Sequence, residues 1–307
     1  MSLQDANPLQ EAFAISLPLE TNLEPHLRNA LQHVLSNEGS MVRPQIIIDL
    51  CAAYAFPEDN ARQLAIALEY FHTASLIFDD LPCMDDAVER RGAPCVHVEF
   101  GEPSAILAAL ALINRAYALV WRAMSACPAP LQAVAMQYVE EHLGVSGLLN
   151  GQSLDLNYSA LPHTLETTQR VAMGKTVSLI RLTLVLPAII CGAPPRELQL
   201  LDRIAVFWGL SYQIVDDLKD VLQGSGETGK TTSRDLSLDR PNVALLVGVH
   251  AALERLDRLL RLGDRALDRL LLQRPATTFL AKLRGTLQQE MRHVTESACA
   301  GRSQGGS

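Results

Sequence analysis

Two apolar helical stretches, each ending in a cluster of aspartates, constrain this sequence more than any other feature. The first covers residues 63–78 and runs into DDLPCMDD at 79–86, and the second reads IAVFWGLSYQIV and runs into DDLKD at 216–220. Stretches this apolar belong in a protein core, where grouped like charges lose their hydration and repel one another. The acids at both helix ends therefore require either solvent or a cation beside them.

A solvated acidic turn could explain one such cluster, but two clusters favour two walls of one cavity. Hard oxygen ligands suit Mg²⁺, which is normally held by one or two carboxylates together with phosphate oxygens. Asp216 and Asp220 are four residues apart and share a helix face. Asp79 and Asp85 are six apart and do not, so we expect the chain to bulge or restart at Pro82 to bring both acids to one side.

Composition and charge argue against several classes of protein. A net charge of −8 argues against a nucleic-acid partner bound through its phosphates. The six cysteines are scattered without a C-x-x-C pair, which indicates reduced thiols rather than a disulfide framework or a zinc site. The polar N-terminus lacks a signal-peptide pattern, and the apolar run at 182–193 is too short to span a bilayer. We therefore expect a cytoplasmic protein with no transmembrane segment.

Helical periodicity dominates the whole chain. Nearly every segment has apolar residues at helical spacing and none alternates as a strand would, so we predict an all-α fold, a single large helical bundle around a central cavity. We assign residues 21–298 to this domain. Residues 1–20 are expected to form a loose arm, because Pro8 and Pro18 oppose regular helix, and residues 299–307 a disordered tail.

The two acid motifs, DDLPCMD and DDLKD, resemble those of the trans-isoprenyl diphosphate synthases, the polyprenyl synthetase family. The longer string HTASLIFDDLPCMDDAVERRGAPCVHVEFGEPSAIL is similar to the bacterial geranylgeranyl and farnesyl diphosphate synthases of that family, and the resemblance covers roughly residues 38–248. It implies a homodimeric, Mg²⁺-dependent prenyltransferase, with three ions at each active site. Such an enzyme ionises an allylic diphosphate and joins it to isopentenyl diphosphate, the homoallylic substrate.

The resemblance also implies a set of site residues. The expected metal ligands are Asp79, Asp85, Asp155, Asp216 and Asp220, with Asp80, Gln152 and Asp217 in neighbouring or water-mediated roles. The expected catalytic groups are Asp79, Asp80, Asp85, Lys175, Gln213, Asp216 and Lys230. The expected substrate-binding groups are Arg43, His72, Arg90, Arg91, Lys175, Thr176, Gln213, Lys230 and Arg240, with Asp235 as a partner of Arg240. Lys219 stands where the family has an apolar residue, and we expect it to point outward.

One departure from the family pattern concerns the homoallylic substrate. Members carry Gly-Lys-Arg-x-Arg-Pro where this chain has Gly39-Ser40-Met41-Val42-Arg43-Pro44, so two cations are replaced. Each lost charge-assisted contact to a diphosphate would weaken binding by about 1.5–3 kcal/mol. The departure leaves open a weak synthase, a non-catalytic partner subunit, or a cyclase-like enzyme that ionises a longer diphosphate.

Product length is expected to depend on residues one helical turn before the first acid motif. Ala74 and Ser75 stand five and four residues before Asp79. Family members that stop at fifteen carbons tend to place an aromatic ring at one of these positions. The small residues here favour the twenty-carbon product, geranylgeranyl diphosphate, with farnesyl diphosphate as the alternative.

Overall fold

The computed structural model describes residues 8–37, 39–223, 240–286 and 288–289, and these are almost entirely helical. The predicted all-α fold is confirmed. The helices are α1 (Pro8–Ile15), α2 (Pro25–Ser36), α3 (Val42–Ala53), α4 (Glu58–Asp79), α5 (Val96–Ala123), α6 (Ala129–Leu143), α7 (Leu148–Leu156), α8 (Leu165–Ala172), α9 (Ser178–Ile190), α10 (Pro195–Gln223), α11 (Val243–Val247) and α12 (Val249–Gln273). A short antiparallel hairpin pairs β1 (Glu89–Arg90) with β2 (Ala93–Pro94). The chain divides into two compact units, Met1–Gln132 and Ala133–Ser307.

Helix α4 is the centre of the first unit. It packs most extensively on α5 and also contacts α3 and α1. Glu58 and Asp59 lie in its first turn, where negative charge is favourable next to the helix dipole. Its middle is almost uncharged and buried, which agrees with the apolar stretch in the sequence. The helix therefore delivers Asp79, its last residue, at the end of a fixed and well-packed element.

The N-terminal arm is not loose throughout, and this part of the prediction is wrong. Residues Pro8–Ile15 form α1, with Leu9 and Phe13 buried on one face four residues apart. The Phe13 ring packs edge-on against Tyr70 at 4.9 Å between centroids, and the Tyr70 hydroxyl donates to the Phe13 carbonyl at 2.6 Å. Pro8 is the first helical residue, where its missing N–H costs nothing.

Helix α10 is the centre of the second unit. It contacts α9, α11, α12 and a π-helical segment, Met173–Val177, that lies between α8 and α9. Its apolar face joins a core that includes Val177, Leu218 and Leu256. The second acid motif therefore lies near the end of a long buried helix, as the sequence predicts. Gly248, at φ 82°, separates α11 from α12.

Two helical stretches are long and apolar enough to cross a membrane by length and composition, Val96–Ala126 and Leu165–Ile190. Core helices of soluble proteins pass the same test, and 61% of the apolar window in the second stretch is buried within the protein. In the first stretch 39% of the apolar window is buried, and the helix exposes several large apolar side chains.

Candidate functional site

The chain changes direction directly after Asp79, as the spacing of the acids requires. Asp80 is the C-cap of α4, and a turn follows in which the Met84 N–H donates to the Leu81 carbonyl at 2.9 Å. The Asp85 N–H then donates to the Asp79 carbonyl at 2.9 Å. This contact closes the loop around Pro82, so Asp79 and Asp85 are neighbours in space although they are six residues apart.

Asp80 has a different role from the acids on either side of it. Its carboxylate is buried, and it accepts from Arg90 Nε at 2.9 and 3.0 Å and from Arg90 Nη2 at 2.5 Å. The hydrogen bond to Asp80 is the main reason that the pKa of Arg90 is raised. The pair fixes the hairpin that carries Arg90 against the end of α4. Asp80 therefore orients a cation, which agrees with its expected supporting role.

Arg91 lies beside a buried acid that the sequence analysis missed. Glu69 is 2% exposed, and its Oε1 lies 4.0 Å from Arg91 Nη2. Burial is the main cause that raises the pKa of Glu69, and the charges of Arg43 and Arg91 act against it. A glutamate inside an otherwise apolar helix was the available signal, since such a charge needs a buried partner.

His72 belongs to the same group. Burial holds the pKa of His72 well below its ordinary value of 6.5, and the charges of Arg43, Arg91 and Arg90 push it in the same direction. The ring is therefore neutral at pH 7. Its Nδ1 is buried and has no hydrogen-bond partner within the described part of the chain. Arg43, His72 and Arg91, all expected to bind the homoallylic substrate, thus lie within electrostatic range of one another.

The two residues that replace the family's cations have different surroundings. Ser40 is exposed, whereas Met41 is 2% exposed and belongs to the core of the first unit. Met41 also adopts a left-handed backbone with φ 55° as the N-cap of α3. Position 40 can therefore present a side chain to a ligand. Position 41 holds a residue required for packing.

In the second unit, Lys175 and Asp155 form an ion pair at 2.7 Å between Nζ and Oδ2. Lys175 lies in the π-helical segment and Asp155 on α7. The two elements touch through glycines: a Cβ on Gly174 would lie 2.6 Å from the Cα of Gly151, and a Cβ on Gly151 would overlap the backbone of Gly174. A π-turn is frequent at functional sites. Asp155, the expected metal ligand, and Lys175, the expected diphosphate ligand, thus lie in direct contact.

A chain of hydrogen bonds organises the middle of α10. The Thr176 hydroxyl donates to Gln213 Oε1 at 2.8 Å, and Gln213 Nε2 donates to Asp217 Oδ1 at 2.9 Å. Asp217 Oδ2 accepts from the Val243 N–H at 2.7 Å. Asp217 is 1% exposed, and both of its carboxylate oxygens serve protein donors. It therefore orients Gln213 and fixes the start of α11.

Asp216 and Asp220 lie one turn apart on α10. Asp216 is accessible to solvent, yet the surrounding protein raises the pKa of its carboxyl by partial desolvation. The charge of Lys219 acts against this shift, Asp220 adds to it, and Lys175 acts against it. Lys219 is partly buried and close enough for its charge to act on the exposed Asp216. On a helix, residues 216 and 219 are neighbours at i and i+3.

The structure describes some of the remaining expected site residues and leaves others outside the described ranges. Lys230 and Asp235 lie outside the described residues. Arg240 is described and stands two residues before Asn242, the N-cap of α11. In the first unit, Ala74 is buried, and the Ser75 hydroxyl donates to the His72 carbonyl at 2.8 Å.

The donor chemistry of both acid clusters suits Mg²⁺. Asp79, Asp85, Asp216 and Asp220 offer hard carboxylate oxygens, which this ion prefers. Within the described ranges there is no group of three or more acidic, histidine or cysteine side chains that could hold a metal by itself. An ion that takes one or two carboxylates and completes its shell with phosphate oxygens fits this arrangement.

Comparisons with known proteins agree on one family. A family model described as polyprenyl synthetase matches residues 24–269. Geranylgeranyl pyrophosphate synthase 7, a chloroplastic protein of Arabidopsis thaliana, is 36% identical over 259 residues, which cover 83% of this chain and 74% of that protein. An apo structure of an FPP/GFPP synthase from Zymomonas mobilis is 27% identical with a TM-score of 0.74, covering 88% of this chain and 91% of that one. A geranyltransferase from Helicobacter pylori, complexed with magnesium and isoprenyl diphosphate, is 26% identical with a TM-score of 0.73, covering 98% and 100%.

Proposed function

This chain belongs to the polyprenyl synthetase family, and from that premise we propose that it is a prenyltransferase that makes geranylgeranyl diphosphate. It joins isopentenyl diphosphate to allylic diphosphates of increasing length. The observation that carries the proposal is the pair of aspartate motifs, each ordered at the end of a buried helix within a sequence similar to geranylgeranyl pyrophosphate synthases.

Three Mg²⁺ ions at each active site are part of the proposal. The neighbour solved with magnesium and isoprenyl diphosphate supports the identity of the metal. Asp79 and Asp85 are the carboxylates that would hold Mg²⁺ in the first unit, and Asp155, Asp216 and Asp220 are those that would hold it in the second. Mg²⁺ held there would supply positive charge to offset the negative charge of the leaving diphosphate.

The cations on the allylic side hold and stabilise the leaving group. Arg90 is oriented by Asp80, and Lys175 by Asp155, so both positive charges are fixed in place before substrate binds. Fixed charges at the position where negative charge develops lower the barrier more than charges that must reorient. Lys230 completes this group in the proposal.

The homoallylic substrate would bind to Arg43, Arg91 and His72. Arg43 and Arg91 supply positive charge, and neutral His72 can donate one hydrogen bond without adding charge. The double bond of isopentenyl diphosphate attacks the allylic cation, and a proton then leaves to the departing diphosphate.

The experiment that tests the proposed product is an assay with Mg²⁺, isopentenyl diphosphate and primers of five, ten and fifteen carbons. We expect a twenty-carbon diphosphate from each primer. A product that stops at fifteen carbons would assign the chain to the farnesyl diphosphate synthases. The 27% identity to an FPP/GFPP synthase is the observation that favours this alternative. Release of diphosphate from an allylic substrate without elongation would identify a cyclase-like enzyme. If neither elongation nor diphosphate release occurs, the chain would be identified as a partner subunit.

A homodimer is the second part of the proposal. Helix α5 exposes Ile106, Leu110, Tyr117 and Trp121, and Trp121 is 65% exposed. Their spacings of four, seven and four residues place them on one face, over a length of roughly 22 Å at 1.5 Å per residue. An apolar stripe of this length can pair with its own copy across a two-fold axis. We expect the wild type to behave as a dimer in light scattering and Trp121→Glu to shift it to monomer; a monomeric wild type would refute the dimer.

A cytoplasmic location completes the proposal. The five cysteines among the described residues are thiols and form no disulfide, which suits a reducing compartment.

A further inference from the structure

Glu69 is a buried acid that has no role in the proposed prenyl-transfer reaction. It lies in the middle of α4, where few residues are charged, with 3% of its side chain exposed. An ionised carboxylate in such a place costs free energy unless cations and hydrogen-bond donors compensate it. The charges of Arg43 and Arg91 act on it, and both arginines are expected to bind the homoallylic diphosphate.

The contacts around Arg91 show how tightly its guanidinium is positioned. Nη2 lies 4.0 Å from Glu69 Oε1, and Nη1 donates to the Asn37 carbonyl at 3.3 Å. The Arg91 backbone adopts φ 56°, which is uncommon for a residue with a side chain. A Cβ on Gly39 would lie 2.6 Å from Nη2 and 3.1 Å from Glu69 Oε1. The guanidinium thus occupies the space that any side chain at position 39 would fill.

The charges of the group explain why an acid is needed there. Arg43 and Arg91 lie within range of one another, and each disfavours the other's charge. His72 is neutral, and Ser40 and Met41 carry no charge, so Glu69 is the acid whose charge most favours the charged form of Arg91, ahead of Asp80. At 4.0 Å its contact with Arg91 is an ion pair without a tight hydrogen bond, which steers the guanidinium and leaves donors for a phosphate.

We propose that Glu69 is a positioning residue that holds Arg91 in the orientation that binds the diphosphate of isopentenyl diphosphate. The proposal rests on the proposed function. With two family cations replaced, binding in this chain depends on the remaining arginines, so their orientation has a larger effect here than where all the family's cations are present.

The test compares Michaelis constants and equilibrium binding for two variants. Glu69→Gln keeps the shape of the side chain and removes its charge, and Gly39→Ala displaces the tip of Arg91 without changing any charge. Because the nearest atoms to the added methyl group belong to the far end of a flexible side chain, we expect this second variant to fold normally. Gly285→Ala, where nothing lies within 4 Å, is the matched control.

We expect both variants to raise KM and the calorimetric Kd for isopentenyl diphosphate about tenfold, in line with one weakened charge-assisted contact. The KM for the allylic diphosphate should stay within about twofold. In Glu69→Gln/Arg91→Gln the effect should equal that of Arg91→Gln alone, since Glu69 acts through Arg91.

Two outcomes would overturn the inference. Unchanged or tighter binding of isopentenyl diphosphate by both variants would show that Glu69 compensates a positive charge without positioning Arg91. Equal losses for both substrates would indicate a general structural role. Failure of the wild type to elongate any primer would instead refute the proposed function, so the two failures are distinguishable.

Discussion

Lys175 Nζ lies 2.7 Å from Asp155 Oδ2, and the pair depends on backbone contact between Gly151 and Gly174. These glycines serve close approach, since neither has a positive φ. A cation and an acid twenty residues apart in sequence are thereby joined where α7 meets the π-helical segment. A residue that separates the two backbones should therefore disturb both charged groups.

Gly174→Ala tests this relationship. The added Cβ meets the Cα of Gly151 at 2.6 Å, and backbone atoms cannot move aside cheaply. We expect the free energy of unfolding to fall by about 2 kcal/mol or more, and kcat/KM for the allylic diphosphate to fall with it. Chemical denaturation and steady-state kinetics measure the two effects. Gly285→Ala should be neutral or slightly stabilising; an equally mild effect at position 174 would contradict the contact.

The two departures from the family at positions 40 and 41 should respond differently to reversal. Ser40→Lys places an ammonium at an exposed position and should lower KM for isopentenyl diphosphate by about tenfold, the equivalent of one charge-assisted contact. Met41→Arg buries a cation and should destabilise the fold by more than about 3 kcal/mol. Kinetics on the first variant and thermal unfolding of the second give the measurements. A stable Met41→Arg protein would show that position 41 is not part of the core.

Asp217 should be needed for stability as well as activity. In Asp217→Asn an NH2 group replaces one of the two carboxylate oxygens. That NH2 group then faces another donor, either Gln213 Nε2 or the Val243 N–H. A buried unsatisfied pair of this kind costs about 1–3 kcal/mol. The control is Asp202→Asn, whose partner Arg181 lies at a partly exposed position, with an expected cost below about 1 kcal/mol. Equal losses in the two variants would count against the buried relay.

The neutral state of His72 predicts a pH dependence of stability. Its folded-state pKa lies below 6.5, so the unfolded chain binds the proton more readily. The stabilisation that comes from burying neutral His72 is therefore fully present above pH 6.5. As the pH falls below 6.5, the free energy of unfolding decreases by up to about 1.4 kcal/mol per pH unit. Denaturation of wild type and His72→Gln between pH 5 and 8 would isolate this slope. Parallel curves for the two proteins would show that His72 is not buried in its neutral form.

Product length should change when a ring is placed beneath the first acid motif. Ala74 is 1% exposed, one helical turn before the acids. Ala74→Tyr is expected to shift the main product from twenty to fifteen carbons, as chromatography of the dephosphorylated products would show. An unchanged distribution would exclude this position as the floor of the channel.

The sequence was sufficient for the parts of the protein that periodicity and short motifs determine. Helical spacing predicted the all-α fold, and the six-residue gap between Asp79 and Asp85 predicted the break near Pro82. The aspartate motifs identified the family. These features depend on local geometry or on a fixed run of residues.

Long-range pairing was not accessible in the same way. The bonds of Arg90 to Asp80 and of Asp217 to Val243 join different elements, and no local pattern specifies them. Helix α1 escapes prediction because a proline usually opposes a helix, whereas Pro8 occupies the first helical position, which tolerates it.

The most direct test of the central claim is transfer of labelled isopentenyl diphosphate into an extractable prenyl diphosphate by the wild-type protein with Mg²⁺ and an allylic primer. We predict a labelled product of twenty carbons that disappears when Mg²⁺ is chelated and returns when it is restored. Absence of labelled lipid at any concentration of isopentenyl diphosphate, with the protein folded, would contradict the assignment as a prenyltransferase.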